Sequence, residues 1–242
     1  MIADEGFYFG LGAFETIALK KGEPIFLDAH MERLGKTMAF LNIPYKKGDV
    51  LREMEHFLGA LTDFSCRMAL KVAVSPRNIL CTLRENPYRR EDYLNGFLTD
   101  YASVRRNETS PLTYHKTFNC GDNILEKRAA KGREIQEPIF RNTRGELAEG
   151  AVTNLFFIKN GQIIAPPLSA GMLPGIVRSY IYSHYSVTEQ QIQPEDIPGF
   201  QEMFLTNSLM GVMPVKRLAD YPFPSMHEGL AIAKKLWQED IK

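Results

Sequence analysis

The sequence predicts a mixed protein of the α+β or α/β class, built from two domains. With 242 residues, the chain is longer than the roughly 150 residues of a typical domain. Large apolar side chains alternate along residues 68–74, which is the two-residue period of a β-strand. Residues 28–41 instead carry Leu34, Met38 and Leu41 on one helical face. Strand and helix signals therefore occur side by side.

The first half of the chain contains several predicted strands and two predicted helices. Its opening stretch is rich in aromatic and β-branched side chains, and Gly10 and Gly12 within it indicate a close backbone approach. Asp28 and Asp49 are expected to begin the two helices, because a carboxylate there accepts free amide groups. We predict strands at residues 7–19, 24–27, 68–74, 78–83 and 97–104, helices at 28–41 and from 49 onward, and a first domain of residues 1–105.

The second half alternates helices with strands, after a short polar linker predicted at residues 106–111. Asn160-Gly161 indicates a hairpin, because both central positions of such a turn need positive φ. Ser225 and Glu228 have the spacing of a capping box for the terminal helix. We predict helices at residues 123–135, 175–185 and after 225, strands at 137–141, 155–159, 162–165, 202–206 and 212–215, and a larger second domain of residues 112–242.

The composition argues against several classes of protein. Twenty-nine basic side chains balance twenty-nine acidic ones, so no overall charge attracts nucleic acid or an anionic membrane. The sequence shows no run of 18 apolar residues and no signal-peptide pattern, which predicts a cytoplasmic protein without a membrane partner. We place His30 and His56 on helix surfaces, each without a second ligand at metal spacing, and therefore expect no metal site.

A lysine near the start of the second domain has unusual neighbours elsewhere in the sequence. Lys116 lies in the segment HKTFN, and Arg33 in HMER is a fixed cation suited to a phosphate. Glu149 lies in a turn-like AEG segment, and residues 173–177 (LPGIV) open a helix whose free amide groups can bind an anion. An isolated lysine is more often a solvated surface charge. A lysine, a phosphate cradle and a lone carboxylate are nevertheless the parts that a pyridoxal phosphate site needs.

Six segments, in this order, resemble the fold-type IV pyridoxal-phosphate enzymes. They are GFYFGLGAFETIAL, FLDAHMERL, HKTFN, ELAEGAVTNLFF, LPGIV and FLTNSLMGVMPV, and they span about residues 5–216. The group includes branched-chain aminotransferases, D-amino-acid aminotransferases and 4-amino-4-deoxychorismate lyases. The resemblance implies a two-domain fold of the D-amino-acid aminotransferase type, with pyridoxal 5'-phosphate between the domains. It also implies a small-molecule substrate and a homodimer in which the partner completes each active site.

The resemblance assigns roles to three charged residues. Lys116 matches the lysine that is bonded covalently to the cofactor and, once released, moves the substrate's proton. Glu149 matches the carboxylate on the pyridine nitrogen, and Arg33 matches the arginine that binds the phosphate.

The remaining cofactor contacts follow from two later segments. Ile176 and Val177 match the pair whose backbone amides hold the phosphate, and Ser208, next to Asn207, matches a position that often provides a hydroxyl or an amide. The chain also departs from the family pattern. Val177 stands in place of a common threonine, and Cys120 stands where many members have a tyrosine near the cofactor ring.

Two features favour the lyase over the aminotransferases. Thr16, in AFET, stands where the resembling lyases have a threonine that faces the substrate, so it is a candidate proton donor. Residues 207–215 (NSLMGVMPV) also look more like the lyase segment than like the corresponding aminotransferase segment. A threonine within a strand is, on the other hand, a common choice for its β-propensity alone. The resemblance therefore favours elimination of pyruvate from 4-amino-4-deoxychorismate to give 4-aminobenzoate, a step of folate biosynthesis.

A substrate with two carboxylates requires cationic side chains in its binding site. Arg106, beside Arg105, is the preferred candidate because it enters the predicted linker. The opposing interpretation is a solvated double-arginine loop. Arg84, Arg89 and Arg90 lie in a polar loop and are further candidates, between which the sequence does not decide.

Two other functions use the same parts. An aminotransferase acting on branched-chain or D-amino acids would use Lys116 and Glu149 in the same positions and would return the amine to a keto acid. A non-catalytic protein that carries pyridoxal phosphate would retain the cofactor contacts as well. Thr16 argues weakly against the carrier, because a carrier has no use for a proton donor at that position.

Overall fold

The computed structural model describes residues 1–61 and 66–237, which form two compact units. Unit 1 comprises Met1–Pro87 and His115–Cys120, and unit 2 comprises Tyr88–Tyr114 and Gly121–Lys242. Each unit mixes strands with helices, so the predicted fold class is confirmed.

Unit 1 is an antiparallel sheet with helices packed on one of its faces. Its elements are α1 (Glu5–Phe9), β1 (Ala13–Lys20), β2 (Glu23–Pro24), α2 (Leu27–Phe40), α3 (Lys47–Gly59), β3 (Met68–Ser75) and β4 (Asn78–Glu85). The strand order is β2-β1-β3-β4. Alternation along β1 and β3 turns Ile17 and Leu70 toward Leu34 of α2, and all three are at most 2% exposed. The other face of the sheet carries Thr16 and the exposed Lys71.

Unit 2 is built around a closed ring of six strands. Its elements are α4 (Arg90–Asn95), β5 (Phe97–Tyr101), α5 (Gly121–Lys131), β6 (Glu137–Arg141), β7 (Leu147–Gly150), β8 (Asn154–Lys159), β9 (Gln162–Ala165), α6 (Ile176–His184), β10 (Val187–Glu189), β11 (Glu202–Asn207), β12 (Gly211–Leu218), β13 (Tyr221–Pro222) and α7 (His227–Leu236). The strand order is β8-β11-β12-β5-β6-β7, and β7 pairs with β8 to close the ring. Phe157, Leu205 and Met213 are fully buried in its apolar core.

The structure places the domain boundary earlier than the predicted one. Residues 97–101 pair in parallel with both β12 and β6, so this strand belongs to unit 2. The predicted linker at residues 106–111 also packs within unit 2, since the amide of Arg106 donates to the carbonyl of Arg141 (2.8 Å). The segment His115–Cys120, predicted to be part of the second domain, belongs to unit 1. Hydrogen bonds between segments that are distant in sequence account for both differences.

The start of the chain also differs from the prediction, because residues 7–9 belong to a short helix and not to a strand. The carboxylate of Asp4 accepts the amides of Gly6 and Phe7 and so caps α1. Gly10, with φ of 70°, ends the helix in the left-handed region. The aromatic run that indicated a strand leaves Phe7, Tyr8 and Phe9 more than 60% exposed.

Candidate active site

Lys116 is held in place by backbone pairing with the start of β1. The amide of Phe14 donates to the carbonyl of Lys116 (3.0 Å), and the amide of Phe118 donates to the carbonyl of Gly12 (2.8 Å). Gly12 permits this approach, since a Cβ there would lie 2.2 Å from a ring carbon of Phe118. The glycine-rich first segment and the lysine segment of the sequence are therefore packed together in unit 1.

The ammonium of Lys116 and the side chain of Thr16 belong to the same face of this sheet. The Lys116 Nζ lies 4.5 Å from the ring centroid of Phe14. Phe14 and Thr16 are two positions apart on β1 and point to the same side of the sheet. Both predicted catalytic residues, Lys116 and Thr16, are thus brought to one surface of unit 1.

Arg33 is paired with a buried glutamate on the opposite face of β1. The Arg33 Nε and Nη2 donate to the two carboxylate oxygens of Glu15, both at 2.7 Å. The Nδ1 of His30 lies 2.7 Å from the same carboxylate. Glu15 and His30 are fully buried, and the Arg33 side chain is 12% exposed. Arg33, the residue predicted to bind a phosphate, therefore uses two of its guanidinium donors to bond to Glu15, which fixes the orientation of the side chain.

The charges of this cluster are set by its burial and by its partners. Burial raises the pKa of Glu15, but the guanidinium of Arg33 and hydrogen bonds from Arg33 and His30 outweigh it and lower that pKa to about 2. Burial lowers the pKa of His30, and the charges of Arg33 and Lys116 lower it further, against the effect of Glu15. Glu15 is ionised, His30 is neutral, and Lys116 is close enough to affect the titration of His30.

The prediction that His30 lies on a helix surface is wrong. His30 is fully buried on α2 and contacts Glu15, whereas His56 is exposed. Glu15 was not singled out from the sequence, and His30 was considered only as a metal ligand. The available signal was Glu15 itself, because an ionisable residue at an inward-facing strand position needs a charged partner.

Glu149 occupies an equally enclosed place in unit 2. It lies on β7, within a strand and not in the predicted turn, and is 7% exposed. Its Oε2 accepts the amide of Leu173 (3.0 Å), which ties the carboxylate to the LPGIV segment. Its Oε1 lies 2.9 Å from the Nη2 of Arg106.

Arg106, the predicted substrate-binding residue, is paired with Glu149 in the structure. The Arg106 side chain is 13% exposed, and its guanidinium lies over the ring of Phe140, 4.4 Å from the centroid. The alternative interpretation, a solvated loop, is therefore wrong for Arg106. In this position Arg106 restrains the orientation of the Glu149 carboxylate.

The helix α6 begins at the predicted anion-binding segment. Ile176 and Val177 are its first two residues, and the preceding Gly175 provides no side-chain cap. The first amides of such a helix lack intrahelical partners and favour an anion. A Cβ at Gly175 would lie 1.9 Å from the Asn154 Oδ1, so this approach requires glycine. Asn154 in turn donates to the carbonyl of Leu173 (2.9 Å).

The turn between β11 and β12 contains two neighbouring candidates, Asn207 and Ser208, whose contacts differ. The Asn207 Oδ1 accepts the amides of Leu209 and Met210, both at 2.9 Å, so this carboxamide builds the turn. Ser208, half-buried at the tip of the turn, has no hydrogen bond to its hydroxyl among the residues described. Thr206, which sequence reasoning missed, has a buried hydroxyl with no hydrogen-bond partner in that same part of the chain.

The structure thus groups the sequence-predicted residues into two sets. Unit 1 carries Lys116, Thr16 and Arg33; unit 2 carries Glu149, Arg106, Ile176, Val177, Asn207 and Ser208. Cys120, half-buried, follows the lysine segment in unit 1. Across residues 1–61 and 66–237, no cluster of three histidine, cysteine or acidic side chains is arranged to hold a metal ion. Within those residues, no helix combines the length and apolar character needed to cross a bilayer.

Comparisons with known proteins identify the family of the chain. The family model described as amino-transferase class IV matches residues 12–218. The aminodeoxychorismate lyase of Bacillus subtilis is 26% identical over 99% of this chain and 88% of its own length. A probable branched-chain-amino-acid aminotransferase of Thermotoga maritima is 27% identical over 87% of this chain and 78% of its own length. The crystal structure of 4-amino-4-deoxychorismate lyase from Pseudomonas aeruginosa superposes with a TM-score of 0.86 at 22% identity, covering 100% of this chain and 96% of that one.

Proposed function

The chain belongs to the amino-transferase class IV family, and we propose that it is a pyridoxal-phosphate-dependent aminodeoxychorismate lyase. Its reaction releases pyruvate from 4-amino-4-deoxychorismate and leaves 4-aminobenzoate, a precursor of folate. One observation supports this function most strongly. Thr16 lies on the same sheet face as Lys116, which gives a hydroxyl proton donor on the face that carries the amine proposed to move the substrate's proton. An aminotransferase has no leaving group there to protonate.

The residues of both units fit pyridoxal phosphate by their chemistry. In unit 2 the uncapped start of α6 offers the amides of Ile176 and Val177 to a phosphate. The unpartnered hydroxyl of Thr206 is a further donor on β11. Glu149, paired with Arg106, suits the protonated pyridine nitrogen.

Unit 1 supplies the amine and a positive charge in the proposed site. Lys116 is the residue that would hold the cofactor covalently, and Arg33, oriented by Glu15, would face the phosphate. Pyridoxal phosphate, when bound, supplies an aldehyde for the substrate amine and a ring that withdraws electrons from the bond to be broken.

The chain's own residues account for the movement of protons. The ε-amine of Lys116 takes the proton from the carbon that carries the substrate amine. The bond between the substrate ring and its enolpyruvyl oxygen then breaks with both electrons on that oxygen. Thr16 donates the proton that the oxygen needs. The products are 4-aminobenzoate and pyruvate, without any net oxidation. The elimination is strongly downhill because the substrate ring becomes aromatic.

The product test separates this function from its alternatives. Purified protein with added pyridoxal phosphate should release 4-aminobenzoate and pyruvate in equal amounts, with no keto acid present. Glutamate formed only with 2-oxoglutarate would instead identify an aminotransferase, a candidate that the similarity to the Thermotoga protein favours. Cofactor binding with no turnover of any amine would identify a carrier.

Thr16 has its own test within the same assay. Thr16→Val keeps the shape of the side chain and removes the hydroxyl, so kcat should fall by about 10²-fold, as expected for loss of one proton donor. Thr188→Val, at an exposed position of β10, is the matched control and should retain full activity. Equal activities of the two variants would remove Thr16 from the mechanism.

The expected homodimer has a surface that suits it. Phe7, Tyr8 and Phe9 are between 65% and 69% exposed on α1, an apolar cluster that a second copy of the chain would cover. Sedimentation equilibrium should give twice the mass of one chain. A monomer at micromolar concentration would contradict this part of the proposal.

A further inference from the structure

The turn between β11 and β12 is bonded to a tyrosine that lies 119 positions earlier in the chain. The Nδ2 of Asn207 donates to the hydroxyl oxygen of Tyr88 (3.1 Å). The Oδ1 of the same carboxamide accepts the amides of Leu209 and Met210. Asn207 therefore uses its oxygen within the turn and its nitrogen on Tyr88. Ser208 lies between Asn207 and Leu209, so these bonds fix the backbone that carries its side chain.

Tyr88 is itself held by the apolar core of unit 2. Its half-buried ring packs against that core and lies 6.2 Å, centroid to centroid, from the ring of Phe97 on β5. A second tyrosine, Tyr93 on α4, is 2% exposed and donates to the carbonyl of Met210 (2.7 Å). The segment that precedes β5 thus holds the turn at Asn207 and again at Met210.

Two hydroxyl-bearing residues flank the carboxamide that Tyr88 holds. Thr206 comes directly before Asn207, and its Oγ1 is buried without a hydrogen-bond partner among the residues that the structure describes. Ser208, half-buried, comes directly after Asn207. A buried hydroxyl that stays unpaired costs free energy, which a ligand with several oxygen atoms, such as a phosphate, would relieve. The Tyr88 hydroxyl therefore acts on the part of β11 where such a ligand would be bound.

We propose that Tyr88 is a positioning residue for the phosphate of the cofactor and acts through Asn207. The inference rests on the proposed function, because it takes this turn as part of the phosphate site. A phenylalanine would pack against the same core, so packing accounts for the ring of Tyr88 but not for its hydroxyl. The hydroxyl bonds to the turn, and its loss should weaken the contacts made to the phosphate while leaving those made to the rest of the cofactor unchanged.

The affinities for two forms of the cofactor test this role. Tyr88→Phe keeps the packed ring and removes the hydroxyl, so the apparent Kd of pyridoxal phosphate should rise about fivefold, as for loss of one hydrogen bond. The apparent Kd of pyridoxal, which lacks the phosphate, should stay unchanged. Tyr221→Phe removes a hydroxyl that bonds to the carbonyls of Pro198 and Phe200 and should change neither constant. Equal ratios of the two constants in wild type and Tyr88→Phe would overturn the proposal.

A double-mutant cycle distinguishes action through Asn207 from a general loosening of the fold. Asn207→Ala removes the partner of the Tyr88 hydroxyl, so adding Tyr88→Phe to it should weaken the binding of pyridoxal phosphate no further. The ³¹P resonance of the bound cofactor should move in Tyr88→Phe and stay in place in Tyr221→Phe. None of these measurements needs turnover, so they hold even if the lyase reaction is absent. Additive effects of the two substitutions, or an unmoved resonance in Tyr88→Phe, would contradict the assignment.

Discussion

Each unit contains an arginine paired with an enclosed glutamate, but the two pairs are built differently. In unit 1 two nitrogens of Arg33 meet both oxygens of Glu15, which is fully buried and also contacts His30. In unit 2 the Nη2 of Arg106 lies 2.9 Å from the Oε1 of Glu149, and the Oε2 accepts the amide of Leu173. The first pair joins two guanidinium nitrogens to two carboxylate oxygens, whereas in the second the guanidinium and the backbone hold different oxygens of the carboxylate.

This difference indicates which partner acts on a ligand. Glu15 has no exposed surface, so it orients Arg33, and the arginine is the member that can act outside the pair. In the proposed site Glu149 is the member that contacts the ligand, and Arg106 and the backbone amide of Leu173 restrain its carboxylate. The same two residue types thus exchange roles between the units. Substitutions of the two glutamates should therefore have different consequences.

The largest expected contrast is between Glu15→Gln and Glu149→Gln. Glu15→Gln leaves the guanidinium of Arg33 without its counter-charge and should lower the free energy of unfolding by about 3 kcal/mol. Glu149→Gln also removes a counter-charge, that of Arg106, but its distinguishing effect should be a loss of about 10²-fold or more in turnover, because it no longer stabilises the charged ring. Urea unfolding and steady-state kinetics of both variants give the comparison.

Glu32→Gln is the control for these two variants, since it breaks an exposed pair with Lys36 and should change stability by less than about 1 kcal/mol. If Glu15→Gln is as stable as Glu32→Gln, the orienting role of Glu15 is wrong.

The pH dependence of stability should report the unit 1 pair by itself. The folded pKa of Glu15 is about 2, below its ordinary value of 4.5, so the stabilisation is complete above about pH 4.5 and is lost as the pH falls toward 2. That shift corresponds to about 3 kcal/mol of unfolding free energy. Glu15→Gln should show a correspondingly shallower loss than wild type between pH 5 and 3. Parallel curves for the two proteins would contradict the assignment.

A smaller effect is expected from Gly12→Ala. The added Cβ would meet the ring of Phe118 at 2.2 Å, so the segment that carries Lys116 must shift, at a cost of about 1–3 kcal/mol. Thermal unfolding and the rate of cofactor incorporation should both fall. Gly35→Ala, on α2 with open space around it, should be neutral or slightly stabilising. Equal behaviour of the two variants would show that the Lys116 segment tolerates displacement.

The smallest effect is expected from Ser208→Ala. Loss of one hydroxyl contact to the phosphate corresponds to about 1 kcal/mol, or roughly a fivefold weaker affinity for the cofactor. Equilibrium dialysis with pyridoxal phosphate measures it. Ser183→Ala removes an exposed hydroxyl that bonds within α6 and should have no effect. An affinity unchanged in Ser208→Ala would exclude this hydroxyl as a phosphate ligand.

Much of the local structure was predictable because its causes are local. The hairpin at Asn160-Gly161 is confirmed, with φ of 51° and 76°. The start of α6 next to Gly175 and the alternation along β3 are also confirmed. In each case the determining residues are neighbours in sequence, so propensity and periodicity are sufficient.

The structure differs from the prediction where a residue distant in sequence determines the local structure. The terminal helix was predicted to use Ser225 and Glu228 as a capping box, but the carboxylate of Glu202, on β11, accepts the amides of Glu228 and Gly229. Ser225 instead donates to Glu202.

The site itself shows the same limit on local reasoning. The residue types at Lys116, Glu149 and Arg33 could be chosen from the sequence by their chemistry and by the resemblance of the surrounding segments. Their partners could not, because the pairs of Arg33 with Glu15 and of Arg106 with Glu149 join separate elements. The contact of Arg106 with Glu149 was accordingly not predicted.

The central claim is that Lys116 is the residue bonded to pyridoxal phosphate, and peptide mapping tests it most directly. The protein is incubated with pyridoxal phosphate and reduced with borohydride, which makes the bond permanent, and its peptides are sequenced by mass spectrometry. The account predicts the added mass on Lys116, little on Lys71, and none at this segment in Lys116→Ala. Specific labelling of another lysine, retained in Lys116→Ala, would contradict it.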